Sequence, residues 1–458
     1  MPNRTSCVAA ALLTATFVLT TAQSVSAQSS LEAVVDSIAH EYVDAGQLAG
    51  MSVAVTRGAD TLLFKAYGYA DLEWDVPMPT DAIHEIGSVT KQFTSAAMMQ
   101  LWADGKIDLD ADITTYLPNY DTQGRSIPLR RLFDHTSGIK GYTEMPSFGS
   151  IMTQTLPRDS LVAMFAAEPL EFEPGHAVIY NNSAYFLLGF ILESVSGQSY
   201  DEYLEEHVFP KAGMDDTSYC TNGEVWEGRA RGYQAGPNGL ARASYIDHTW
   251  PYAGGSLCST IGDLVSWNRA LHSGRVVTDE AYDLLTTPVP LADGTPIRYA
   301  MGITNYVTRS GRMIGHGGGI PGFLSESRYY PDEDVVVVVL HNTLGLPGPS
   351  DVADAIASHL FGTDHGPKAQ AYAGDLTAFE GQYRGPARGS TVTVTVKVDG
   401  EALDISGPLR ETAEYLDGMT FFSDGSLFVF EGRGARPGVL RVDQVTGHYV
   451  LTRVDEGS

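Results

Sequence analysis

Ser88-Val-Thr-Lys91-Gln-Phe-Thr-Ser-Ala-Ala-Met-Met-Gln-Leu101 sets a hydroxyl and an amine at the head of an apolar run. Gln92 to Leu101 is rich in Ala and Met and reads as a helix. Residues three apart on a helix share a face, one turn apart. A serine hydroxyl is a weak nucleophile near neutral pH and needs a base within hydrogen-bond reach; a partly desolvated lysine can be that base. S-x-x-K alone is weak, since it recurs by chance on many surface helices. Its weight depends on the rest of the chain.

Around this stretch the pattern alternates between strands and helices. Leu31–Ala45 reads as a helix, and Gly50–Thr56 and Thr61–Gly68 as two strands joined by the turn Arg57-Gly-Ala-Asp60. The Ser88 helix ends at Asp104-Gly105. Residues 106–250 are mixed helix and loop. Strand signals return at Arg298–Val307, Gly311–His316, Leu324–Tyr330 and Val335–Asn342. Val335 to Leu340 is a continuous run that suits a strand buried on both faces. The expected fold class is therefore α+β: an antiparallel sheet completed by both chain ends, flanked by helices, with a mostly helical region inserted. Beyond a linker at 363–372 the character changes. Thr391–Val398 alternates strictly, and Asp399-Gly400 and Asp424-Gly425 mark hairpins, so residues 373–458 read as a small antiparallel β-barrel.

Composition bounds the function. The 458 residues allow two or three domains at roughly 150 residues each. Hydrophobic residues make 43% and charged residues 19%, which fits a globular protein with a sizeable core. A formal net charge of −27 repels phosphate backbones, so nucleic acid is not an expected partner. Arg4, the apolar stretch Cys7–Leu19 and Val25-Ser-Ala27 read as a signal peptide over residues 1–27, cleaved after Ala27, which implies a secreted or periplasmic location. Elsewhere no stretch is apolar and long enough for an integral membrane span. Once Cys7 leaves with the signal, Cys220 and Cys258 remain, either as a disulfide or as two buried thiols.

Three further segments carry chemistry. Tyr180-Asn-Asn182 lies on a turn before an expected helix, Phe186–Val195; a phenol there could relay a proton and an amide could hold a lysine. Pro251-Tyr-Ala-Gly-Gly-Ser256 is a Gly-rich turn. Gly315-His316-Gly317-Gly318-Gly319-Ile-Pro-Gly322 reads as another, lying between strands, where missing side chains let a backbone approach a ligand closely.

With these motifs in this order, the chain resembles the serine β-lactamase and penicillin-binding protein superfamily. It lies on the class C-like side, which also holds family VIII esterases, D-aminopeptidases and DD-peptidases. Ser88-x-x-Lys91 matches the first motif, Tyr180-x-Asn182 the second in its Y-x-N form, and His316-Gly-Gly318 stands for K-T-G. Phe133-Asp-His-Thr-Ser-Gly138 and Ala253-Gly-Gly-Ser-Leu also fit, and the hydrolase domain is expected over 28–362. The tail from Phe379-Glu-Gly-Gln-Tyr383 resembles the lipocalin-like barrel appended to many such hydrolases.

The resemblance implies a β-lactamase/transpeptidase-like fold and an acyl-enzyme on Ser88. Lys91 and Tyr180 would share the proton transfers, their order left open. Asn182 would orient Lys91 and the substrate amide, and the backbone N–H groups of Ser88 and Gly319 would form the oxyanion hole. Gly317 and Gly318 would contact the substrate. His316 replaces a lysine that meets the substrate carboxylate in lactamases. A histidine is about half charged near pH 6.5 and should grip a carboxylate less firmly, which implies little β-lactamase activity. The expected partner is a small-molecule or peptide substrate: an ester, a D-amino-acid amide or a cell-wall peptide. No cofactor is implied, because side chains and water suffice.

The alternatives are a true class C-like β-lactamase, or an idle member that binds a cell-wall peptide or a partner protein. The loop Lys140–Leu156 is expected to shape the cleft rim, and His135 to fix a loop. Gly317-x-Gly319-x-x-Gly322 has the dinucleotide spacing but lies among strand-like residues after Pro321, and Asp108-x-Asp110-x-Asp112 lacks the glycine and glutamate of a calcium loop.

Overall fold

The computed structural model describes residues 30–423, 425–432 and 436–454. The signal peptide expected over 1–27, with Cys7, and Asp424 of one expected turn lie outside the described residues.

The β-branched run becomes β6 (Val335–His341), buried at every position. Such a strand needs cover on both faces. It pairs antiparallel with β1 (Gly50–Arg57) on one side and β5 (Phe323–Tyr330) on the other. With β2 (Asp60–Asp71), β3 (Thr304–Thr308) and β4 (Gly311–Ile320) the order is β3-β4-β5-β6-β1-β2, and Val76–Pro77 adds an edge. Both chain ends thus complete one antiparallel sheet, as the pattern implies.

Alternate side chains of β6 face opposite layers. Val335, Val337 and Val339 pack with Val53 and Val55 against the helix over residues 30–44 and against Pro349–Phe361. Val336, Val338 and Leu340 join the larger core with α2 (Thr90–Ala103) and α4 (Ile261–His272). α2 is buried from Thr90 to Met99, its buried polar side chains included. Phe93 stacks on Trp267 with ring centroids 3.9 Å apart, and the Trp267 indole N–H donates to Gln92 Oε1 at 2.8 Å. α3 (Asn182–Ser196) starts four residues before the expected Phe186 because the Asn181 side chain accepts from Ala184 N and caps it.

Two strands depart from the reading. β3 begins at Thr304 rather than Arg298: Gly302 sits at φ +70°, and a Cβ there would lie 2.6 Å from Lys91 O and from Ser95 Oγ. The chain turns at Gly302 to pass beneath α2. Conversely, β4 continues through His316-Gly-Gly-Gly319, which had read as a turn. A disulfide joins Cys220 to Cys258, with Cα atoms 5.3 Å apart, and so ties the 218–220 segment to Leu257–Ser259.

Eight C-terminal strands, β7 (Gly381–Ala387), β8 (Ser390–Asp399), Ala402–Ser406, Arg410–Asp417, Thr420–Ser423, Ser426–Glu431, Val439–Gln444 and β14 (Gly447–Val454), close into a barrel through β7–β14 pairing. Phe379, Tyr383, Phe421, Phe428 and Phe430 fill its interior. Its outer edge extends the larger unit: Gly447 and His448 pair with Ile179 and Val178, the residues just ahead of Tyr180.

Phe93→Ala, which empties the space between α2 and Trp267, is expected to cost about 3–5 kcal/mol. Chemical denaturation checks this; a loss below about 1 kcal/mol would show that the helix does not depend on this stack.

Candidate active site

Ser88 occupies a 3-10 turn, Gly87–Val89, that leads into α2. Two glycines make room for it. Gly87 has φ +49°, and a Cβ there would lie 2.9 Å from Gly319 N. A Cβ on Gly318 would lie 3.0 Å from Ser88 N and collide with Ile86 O. Ser325 Oγ on β5 donates to Ile86 O at 2.8 Å and fixes the turn. The Gly-rich run is therefore a strand whose bare backbone lies against the Ser88 turn. β3 pairs with β4 only as far as Gly315, which leaves residues 316–320 with an unpaired edge.

Lys91 is fully buried one turn along. Its Nζ lies 3.1 Å from Ser88 Oγ, 2.8 Å from Asn182 Oδ1 and 2.7 Å from Gly254 O. Burial first, and the Arg388 guanidinium second, hold its pKa well below the ordinary lysine value, with Glu144 opposing. A neutral amine keeps two hydrogens and one lone pair. Asn182 Oδ1 and Gly254 O can only accept, so they take the hydrogens. The lone pair then faces the one neighbour that can donate, the Ser88 hydroxyl.

Tyr180 is buried beside them, its ring 4.9 Å from Lys91 Nζ. Burial raises the pKa of its phenol, which Ser88 partly offsets. No hydrogen bond of full geometry reaches the Tyr180 hydroxyl among the described residues. The Phe133–Gly138 loop sets its place. His135 Nδ1 accepts from Asn181 N at 3.1 Å, and its ring packs tilted against that of Tyr180, with centroids 4.3 Å apart.

His316 differs from the expectation of a half-charged imidazole. Nδ1 hydrogen-bonds Gly317 O, a pure acceptor, so it carries the hydrogen; Nε2 then accepts from the Tyr299 hydroxyl at 2.8 Å. Burial, reinforced by Lys91, lowers its pKa to about 3. It is neutral in the working range because burial leaves its cation poorly solvated.

Two cavities flank Ser88. One, about 450 Å³, is lined by Tyr180, Asn182, His316–Gly319, Arg328 and Arg388, with Val445 and Thr446 of the barrel. The other, about 190 Å³, is more apolar, with Tyr142, Phe148, Met152, Ile246 and Pro321; three of these come from the Lys140–Leu156 loop. The sequence reading missed Gly254 O, Tyr299, Thr143, Glu144 and Arg388. The first lies inside a quoted motif; the others stand in no motif, and Arg388 comes from the barrel. No group of three or more His, Cys, Asp or Glu that could hold a metal occurs among the described residues.

The family model described as Beta-lactamase matches residues 35–361. The chain belongs to this family of serine hydrolases. Penicillin-binding protein 4* of Bacillus subtilis is 26% identical over 64% of the chain and 67% of its own length. A D-aminopeptidase of Gluconobacter oxydans is 26% identical over 64% of the chain, which spans only 55% of that protein. Among solved structures, a D-stereospecific amidohydrolase from Streptomyces sp. superposes with a TM-score of 0.62 at 27% identity, over 72% of this chain and 99% of that one. None of the helices among the described residues is long and apolar enough to cross a membrane.

His84 has a pKa lowered to about 4, and His272, His316 and His341 to about 3, all by burial first. In the unfolded chain these rings protonate near pH 6.5. Between those limits the unfolded state binds more protons, so stability falls as pH drops from about 6.5 towards 4. Denaturation midpoints across that range check the slope. An NMR titration of His316 should show a neutral ring down to about pH 4; a midpoint near 6.5 would refute its assignment as a buried neutral acceptor.

Proposed function

We propose that this protein is a secreted serine hydrolase that forms an acyl-enzyme on Ser88 and cleaves amides or esters of D-amino acids or short acyl groups. In this reading it is a D-amino-acid peptidase, carboxypeptidase or esterase with little β-lactamase activity. The socket of Lys91 carries the reading: two pure acceptors leave its lone pair directed to the Ser88 hydroxyl. The names of its relatives, D-aminopeptidase and D-stereospecific amidohydrolase, support the substrate class. Secretion is supported by the Arg4–Ala27 pattern and by the Cys220–Cys258 disulfide, a bond that persists in oxidising compartments.

The mechanism follows from the protonation states. Lys91, with its pKa lowered, takes the Ser88 proton as Oγ attacks the carbonyl carbon. The tetrahedral oxyanion sits against the N–H groups of Ser88 and Gly319, which stabilise it by a few kcal/mol each. Tyr180, whose raised pKa keeps it a phenol at neutral pH, gives its proton to the leaving nitrogen or oxygen as that bond breaks. The proton taken up by Lys91 then passes to the Tyr180 phenolate, which returns both groups to their neutral forms. Water, deprotonated by the same pair, then attacks the ester and frees Ser88. The low lysine and high tyrosine favour Lys91 as the first base. A neutral His316 leaves β4 without the cation that a lysine would place there.

Hydrolysis of p-nitrophenyl butyrate, D-alanyl p-nitroanilide and nitrocefin tests this. Turnover of the ester or the anilide is expected, with nitrocefin far slower, and Ser88→Ala or Lys91→Ala should lower it by about a thousandfold or more. Activity that survives in Ser88→Ala sinks the acyl-enzyme; nitrocefin turnover exceeding the others points to a lactamase. Fluorophosphonate labelling at Ser88 separates an active enzyme from an idle binder.

A further inference from the structure

The β7–β8 hairpin of the barrel reaches the nucleophile. Its tip, Arg388-Gly389, docks on the Tyr142–Glu144 turn: Gly389 has φ +74°, and a Cβ there would lie 2.9 Å from Glu144 Cβ and Cγ. Arg388 Nε donates to Glu144 Oε1 at 2.6 Å. The guanidinium carbon lies 5.0 Å from the centre of the Tyr180 ring. Its side chain is 43% exposed and lines both cavities beside Ser88. No hydrogen bond engages its two terminal nitrogens among the described residues.

The other basic groups near the cleft are occupied. Arg328 is buried and held by Glu326 and Asp354. Lys91 has three partners, and His316 is neutral. Arg388 is thus the cation there with donors to spare, in a chain of net charge −27. Two parallel N–H groups match a carboxylate. The cavity that holds the Tyr180 proton donor is where a leaving group must sit, and the barrel adds Val445 and Thr446 to that cavity only.

We propose that Arg388, carried by the barrel, binds a carboxylate on the leaving group of the substrate, so that the barrel forms part of the substrate site. This rests on the hydrolase reading above. The class it selects is an N-acyl-D-amino-acid amide or ester whose leaving group is itself an amino or hydroxy acid. The function that a lysine on β4 would serve is then met from the second unit.

The test uses two N-acyl-D-alanyl esters of a 2-hydroxy acid, one ending in a carboxylate and one in a carboxamide. The full protein should favour the carboxylate by about tenfold or more in kcat/KM, the order expected of one charge-assisted pair. In Arg388→Gln the ratio should fall to within about twofold of one, with Arg388→Lys between. A wild-type ratio near one, or a ratio unchanged in Arg388→Gln, overturns the proposal; the second outcome includes an equal loss on both esters, which would mark Arg388 as a support for Tyr180 instead. Binding is read separately in Ser88→Ala by thermal shift with the matching N-acyl-D-dipeptide and its C-terminal amide. Loss of the carboxylate preference on adding Arg388→Gln upholds the arginine even if no ester is turned over, an outcome that would reject the hydrolase reading alone. No preference in Ser88→Ala overturns the arginine.

Discussion

A buried amine is the constraint on which the rest of the structure depends. Lys91 is removed from water, which makes its charge costly, and its amine, on the segment that also carries Ser88, meets oxygen acceptors from two distant segments, Asn182 and Gly254. For these to meet, the three segments must be held rigidly to a common point. α2 is therefore enclosed on all sides, and Phe93 and Trp267 fix its roll. Asn181 starts α3 where Asn182 faces the amine. Gly254 can approach because the Tyr252–Gly254 turn packs closely on α3 at Gly189, where a Cβ would collide with the Tyr252 ring.

What the sequence made legible was local. Val335–Leu340 announced a doubly covered strand, Arg57–Asp60 a hairpin turn, and Ser88-x-x-Lys91 a paired hydroxyl and amine. Each depends on spacing within one element. His316–Gly319 misled because glycine has little strand preference of its own. The strand forms there because it pairs with β5, and Gly318 is bare because Ile86 O and Ser88 N, distant in the chain, occupy the space a side chain would need. Neutral His316 was unreadable for a similar reason: its charge is set by burial and by Lys91, which outweigh the hydrogen bond to Gly317 O, not by residue type.

The barrel shows the same limit at larger scale. Its alternation and turns were plain, yet its relation to the nucleophile rests on Arg388 and Glu144, which are 244 residues apart. The aromatic interior leaves the outside of the barrel as its working surface. Several contacts hold that surface on the larger unit: β14 against Val178–Ile179, the β7–β8 tip against Glu144, and the ion pairs Arg298–Asp443 and Arg441–Asp293.

From that tip a hydrogen-bonded line runs inward. Arg388 donates to Glu144, which accepts from Thr143 Oγ1 at 2.8 Å; Thr143 Oγ1 accepts from Asn182 Nδ2 at 3.2 Å; and Asn182 Oδ1 holds Lys91. The opposing charges at its outer end act on the amine in opposite directions, Arg388 lowering its pKa and Glu144 raising it. Were the barrel to lift away, Glu144 would lose its cation and Lys91 its positive neighbour. Both changes favour the ammonium, the form that cannot take a proton from Ser88. The barrel, held by the β-bridge and by the Arg388–Glu144, Arg298–Asp443 and Arg441–Asp293 ion pairs, thus keeps in place the cation that lowers the Lys91 pKa.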